Sequence, residues 1–89
     1  MSINLQTDSW YCKYKNNTDL LKIKLTLEAI YKRKFRGMRF IYQSHNIFYH
    51  DGYSYQTMSS RSQKYQNLKA YSNFKEIDLN YIIRYNPPE

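Results

Sequence analysis

This sequence predicts an α+β fold in which a small antiparallel sheet is packed by two helices, in the order β-α-β-β-α-β. Three observations carry that expectation. Alternating apolar and polar residues recur near the start, in the middle and near the end of the chain. Two intervening stretches place capping residues ahead of an apolar stripe. Asp51-Gly52 is the strongest short hairpin signal available, because a tight turn needs positive φ at its centre. The 89 residues suffice for a single domain, 1–89, with one small core.

The elements follow in order. Residues 9–15, SWYCKYK, are aromatic-rich and loosely alternating, which reads as a strand. Residues 16–19, NNTD, have turn and cap chemistry. The stretch 20–35 supports two readings. LKIKLTL at 21–27 alternates as a strand would, yet Thr18 or Asp19 is able to cap a helix whose Leu20, Ile23, Leu27, Ile30 and Tyr31 share one face. Leu21 and Leu25 fall off that face. The helix is preferred because both its ends are marked, with Gly37 placed as the residue beyond its last turn. Residues 38–57 form the clearest β region. A two-residue loop at Asp51-Gly52 pairs His50 with Tyr53, Phe48 with Tyr55 and Asn46 with Thr57. Phe48, His50, Tyr53 and Tyr55 then share one face, opposite Ile47 and Tyr49. A helix starts at Ser60, with Gln63 as its capping-box partner, and Tyr65, Leu68, Tyr71 or Ser72, and Phe74 give it a narrow apolar stripe. LNYIIRY at 79–85 alternates again and reads as the last strand, stopped by Pro87-Pro88. This order suits a ferredoxin-like arrangement. A hairpin-first small β-barrel with one C-terminal helix is the alternative.

Composition bounds the function. The apolar fraction is 42%, but it is built from eleven Tyr, four Phe and one Trp, with two Ala and no Val. Tyrosines fill volume yet need a partner for each hydroxyl, so many should keep the ring inside and the OH at the surface. Net charge is +7, which favours a polyanionic partner: nucleic acid or an acidic protein surface. Asn, Lys, Ile, Tyr and Phe supply 40 of 89 residues, and their AT-rich codons suit a phage or mobile-element source. Cys12 is the only cysteine, which excludes an intramolecular disulfide and a multi-cysteine metal site. The first residues lack the basic and apolar regions of a signal peptide, and no apolar run approaches a membrane span. A cytoplasmic protein with no membrane partner is expected, in the host cytoplasm if phage-encoded.

The loudest motif is YKRKFRGMRF at 31–40, with five cations between Lys32 and Arg39. A helix C-terminus favours one or two cations through its dipole, each contributing about 0.3–1 kcal/mol. Five exceed that need. Lys32, Arg33, Lys34, Arg36 and Arg39 are therefore the candidate contacts to nucleic acid or an acidic partner, with Phe35 and Phe40 offering rings. Tyr49 and Tyr53 are the candidate exposed tyrosines of the hairpin, whereas Phe48 and Tyr55 belong to the core. His45 and His50, five apart in a β region, have poor metal geometry, and no carboxylate pair or glycine-rich phosphate loop is present. No metal or cofactor is expected.

These residues support a small, non-enzymatic basic protein that binds nucleic acid through the Lys/Arg patch and exposed tyrosines. The alternative is a phage- or mobile-element-encoded inhibitor that docks on a host nucleic-acid-processing or defence complex, an anti-CRISPR-like role. Tyr and Arg suit it because both are enriched where protein interfaces concentrate their energy. A third class is a metal-independent ribonuclease toxin with His50 or His45 as base.

Overall fold

Trp10, Cys12 and Tyr14 turn to one side of the first strand and Tyr11 to the other, and all four are buried. The strand therefore needs cover on both faces, and the rest of the chain supplies it. The computed structural model describes residues 3–35 and 46–87. Among them the order is β1 (Ser9–Tyr14), α1 (Asn17–Tyr31), β2 (Asn46–Asp51), β3 (Tyr55–Ser59), α2 (Gln63–Lys69), β4 (Lys75–Glu76) and α3 (Leu79–Ile83). The four strands form one sheet in the order β3-β2-β1-β4. β1 and β2 pair antiparallel, as do β2 and β3, while β1 and β4 run parallel. Helices α1 and α3 cover one face, where Leu20, Ile23, Leu27 and Ile82 meet Trp10, Cys12, Phe48 and Tyr55. Helix α2 and Phe74 cover the other, where Tyr65 and Phe74 meet Tyr11, Ile47 and Tyr49.

The α+β class holds, while several finer expectations do not. The sheet is mixed, because the parallel β1–β4 pair replaces an all-antiparallel one. A split β-α-β unit, as in a ferredoxin-like fold, keeps its two helix-joined strands parallel with another strand between them. Here β1 and β2, joined by α1, are antiparallel neighbours. The sheet is open, so the barrel alternative is also set aside.

Helix α1 resolves the ambiguity of residues 20–35. Its cap is Asn16, not Thr18 or Asp19: Asn16 Oδ1 accepts from the Asp19 N–H at 2.9 Å, and Asp19 Oδ2 accepts from the Lys15 N–H at 3.2 Å. That reciprocal pair satisfies two backbone donors at the helix start. The helix ends at Tyr31, earlier than expected, because Lys32 takes the left-handed conformation (φ 51°, ψ 43°) and donates its N–H to Glu28 O. Gly37, expected as the residue beyond the cap, lies outside the described residues, as does the expected start of the central β region at residues 38–45.

The hairpin keeps its faces and shifts its register. His50 pairs with Tyr55, Phe48 with Thr57 and Asn46 with Ser59. Asp51 is the last residue of β2, and its Oδ1 accepts from the N–H groups of Tyr53 and Ser54 at 2.8 and 2.9 Å. The turn is thereby centred on Gly52-Tyr53, with Gly52 at φ 99°. Moving the turn by one position carries Tyr53 out of the strand and opposes His50 with Tyr55.

Helix α2 begins after Ser62, whose Oγ accepts from the Tyr65 N–H at 3.2 Å, so Ser62 is the cap where Ser60 was expected. It stops at Lys69, ahead of the turn-forming Ser72-Asn73, and the chain re-enters the sheet as β4. The expected last strand, 79–85, is the short helix α3. Asp78 Oδ1 accepts from the Tyr81 N–H at 2.7 Å, and this cap overrides an alternation that buries only Ile82 fully.

Candidate nucleic-acid interface

Residues 32–35 leave α1 as a fixed knuckle. The left-handed Lys32 reverses the chain, the Arg33 N–H reaches Glu28 O at 3.3 Å, and the Phe35 N–H donates to Glu28 Oε2 at 2.9 Å. One glutamate therefore accepts from three backbone N–H groups, those of Lys32 and Arg33 at its carbonyl and that of Phe35 at its carboxylate. Phe35 anchors the far end, with its ring edge-on to Tyr55 at 5.1 Å and to Phe48 at 6.4 Å. Lys32, Arg33 and Lys34 are exposed between those two anchors. The Arg33 guanidinium lies 5.7 Å from the Tyr55 ring centre and 6.0 Å from that of Phe35, within cation–π range. Burial pushes the Tyr55 hydroxyl up to about 12, with the Arg33 charge opposing.

Of the expected site residues, Lys32, Arg33, Lys34 and Tyr53 are brought to one end of the sheet. The knuckle packs on Tyr55 at the start of β3, and Tyr53 lies two residues away in the adjoining turn, 91% exposed. Arg36, Arg39, Phe40 and His45 lie outside the described residues. Tyr49 is a correction: it is 1% exposed, because α2 covers the face it was expected to show to solvent. Its hydroxyl reaches the edge and donates to Gln56 Oε1 at 2.9 Å. Phe35 is likewise half-buried packing, with little free face for a base. Phe48 and Tyr55 are core, as expected.

The remaining described cations are spread over the molecule. Lys64 and Lys69 on α2 lie over the rings of Tyr49 and Tyr65 at 5.3 and 5.1 Å, on the sheet face opposite α1. Leu21 and Leu25 project from α1 at 44% and 55% exposure, an aliphatic patch one helical turn long. His50 is 1% exposed and takes a bridging role: its Nδ1 is 2.9 Å from Asp8 O and 3.2 Å from the Gly52 N. Cys12 is buried, and burial pushes its thiol up to about 12, with Asp78, Asp19 and Glu76 adding to the shift. Among the described residues no group of three or more His, Cys, Asp or Glu is placed to hold a metal ion, and no helix is long and apolar enough to cross a membrane.

Sequence reasoning passed over Glu28, which reads as an ordinary helix-surface acid. The signal was its position four to six residues ahead of three cations. It also passed over a polar cleft of about 540 Å³ beside the β2–β3 turn, lined among others by Asp8, Asp51, Tyr53, Asn73 and Lys75. Comparison with protein-family models, with curated proteins and with solved structures found no match to this chain.

Proposed function

We propose that this chain is a small basic protein that binds nucleic acid, gripping phosphates with Lys32, Arg33 and Lys34 and stacking a base on Tyr53. The observation that carries the reading is the knuckle itself. Three cations sit on a backbone clamped by Glu28 and Phe35, at the end of the sheet that also exposes the Tyr53 ring. Cations held in place lose less freedom on docking than cations on a loose loop, so more of their attraction appears as affinity. Arg36 and Arg39 continue the same run in sequence and add to the charge available. The test is fluorescence anisotropy with single-stranded and duplex probes at about 50 and about 200 mM salt, where phosphate contacts make affinity fall steeply. Absence of binding to every probe at the lower salt ends the proposal.

A second reading, an inhibitor docking on an acidic protein partner, is favoured by Leu21 and Leu25. Exposed leucines on a helix that also carries Lys22 suit a protein surface better than a phosphate backbone. Charge reversal at Arg33 and Arg36 should abolish that docking, and this reading further requires that nucleic-acid binding be absent throughout.

A further inference from the structure

We propose that the cleft beside the β2–β3 turn is a subsite for a single guanine base of a bound single strand. The inference rests on the nucleic-acid reading above. At about 540 Å³ the cleft is of the size that small-ligand sites use. Its lining differs in sign from the knuckle. Asp8 and Asp51 bring carboxylates to it, Tyr53 brings a largely exposed ring, and Asn73 and Lys75 stand on the β4 side. Carboxylates repel a phosphate, so this cleft selects for a base and against the backbone that the knuckle holds.

The choice of base follows from donors and acceptors. Asp8 Oδ2 accepts from the Asn4 N–H at 2.9 Å, and Asp51 Oδ1 accepts from the Tyr53 and Ser54 N–H groups. Each carboxylate has a second oxygen, and ionised carboxylates only accept. The Asp51 carboxyl is held below the usual range: its partial burial acts to raise it and is outweighed by the Ser54 and Tyr53 N–H groups, so this acceptor stays ionised near neutral pH. Guanine alone among the four bases presents two adjacent N–H donors, N1 and N2, on its Watson–Crick edge, the edge by which single-stranded bases are read. Its O6 completes the edge as an acceptor toward the amide of Asn73. Uracil, cytosine and adenine each bring an acceptor where the carboxylates require a donor.

The two walls are held together before any base arrives. Ser9 is paired with Asp51 in the β1–β2 ladder, which places Asp8 beside Gly52. A Cβ at Gly52 would stand 3.7 Å from Ser9 Oγ and 3.8 Å from Thr7 O, so the turn lies against the 7–9 segment. His50 bridges the same gap. One tautomer donates from Nδ1 to Asp8 O, and the other accepts at Nδ1 from the Gly52 N–H. The buried imidazole thereby ties the Asp8 backbone to the turn that follows Asp51.

The test is anisotropy with labelled oligouridine, the same strand carrying one central guanosine or adenosine, and the matching deoxythymidine strands. The guanosine strand is expected to bind about tenfold more tightly than the other two. Asp8→Asn and Asp51→Asn each keep the oxygen that the local N–H groups need, but turn an acceptor into a donor. In these variants the guanine preference collapses while oligouridine affinity holds or rises. Tyr53→Ala, at an exposed position that folding does not need, is expected to lose about tenfold in guanosine-strand affinity. A guanine preference with either sugar supports the subsite. Equal binding of the three strands at low salt overturns it and leaves the phosphate-binding reading standing. A preference that survives both Asn variants overturns it too, and no binding of any strand overturns both.

Discussion

Removing the Glu28 carboxylate should loosen the knuckle without touching the helix it grows from. The Phe35 N–H that Glu28 Oε2 accepts is partly buried, at 2.9 Å, and its acceptor is charged. Hydrogen bonds to charged groups contribute about 1.5–3 kcal/mol, and the half-exposed position of Glu28 argues for the lower part of that range. Ala forms helix at least as well as Glu, so the helix itself loses nothing. Glu28→Ala is therefore expected to destabilise by about 1–2 kcal/mol, which lowers Tm by roughly 5–10 °C in a chain of this size. Glu28→Gln keeps an acceptor oxygen without the charge and should lose about half as much. Thermal unfolding by circular dichroism measures the stability, and amide hydrogen exchange reports the Phe35 N–H directly. In binding, Glu28→Ala should lower affinity several-fold while leaving the salt slope unchanged, because the slope counts cations and not their order. A variant that melts within about 2 °C of the parent, with unchanged exchange at Phe35, refutes the clamp.

Three further outcomes follow from the same geometry. Lys32 is the one non-glycine residue at positive φ among those described, so Lys32→Gly should stabilise by about 0.5–1 kcal/mol in chemical denaturation while weakening nucleic-acid binding; a loss of stability contradicts the strain. The Asp51 carboxyl is lowered in the folded state relative to its usual 3.8, so its contribution is present above that value and disappears as pH falls through the folded value. Acid unfolding below about pH 4 should accordingly be shallower in Asp51→Asn, and parallel acid curves for the two proteins refute the assignment. Tyr49→Ala should cost about 3 kcal/mol or more, as truncation of a buried aromatic does, whereas Tyr53→Ala should stay within about 0.5 kcal/mol; urea denaturation separates the two tyrosines.

Much of the fold was legible wherever a local signal and the tertiary context agreed. The alternation of β1, the two faces of the β2–β3 hairpin and the burial of Phe48 and Tyr55 came from residue pattern alone. Helix α1 was legible as an element, but not its ends: the cap is Asn16 in place of Thr18 or Asp19, and the left-handed Lys32 stops it before the expected last turn. Leu21 and Leu25 remain on the solvent side and blur its periodicity. The C-terminal strand was misread because 79–85 alternates over a length too short to separate strand from helix, and the Asp78 cap decided the matter. β4 spans only Lys75–Glu76, too short to leave a pattern, and it needs β1 as a template. Tyr49 was misplaced for a different reason. A strand with one buried face would have shown it to solvent, but α2 and Phe74 cover the second face, and Gln56 at the sheet edge takes its hydroxyl. Within the candidate site, the cations and Tyr53 were visible as residue types. Glu28 was not, since nothing in a helix-surface acid says that its carboxylate will accept from a backbone N–H seven residues on. His50 was visible only as a candidate base, and its bridge to Asp8, like the cleft, depends on contacts between segments distant in sequence.

The central claim is that the 32–34 knuckle grips phosphate, and the salt dependence of single-strand binding tests it most directly. With the parent protein and a Lys32→Ala, Arg33→Ala, Lys34→Ala triple variant, log affinity is plotted against log salt. Each phosphate contact contributes about 0.7 to the slope for single strands, so the variant's slope should be shallower by about 2 and its low-salt affinity lower. Equal slopes and equal affinities for the two proteins would contradict the account.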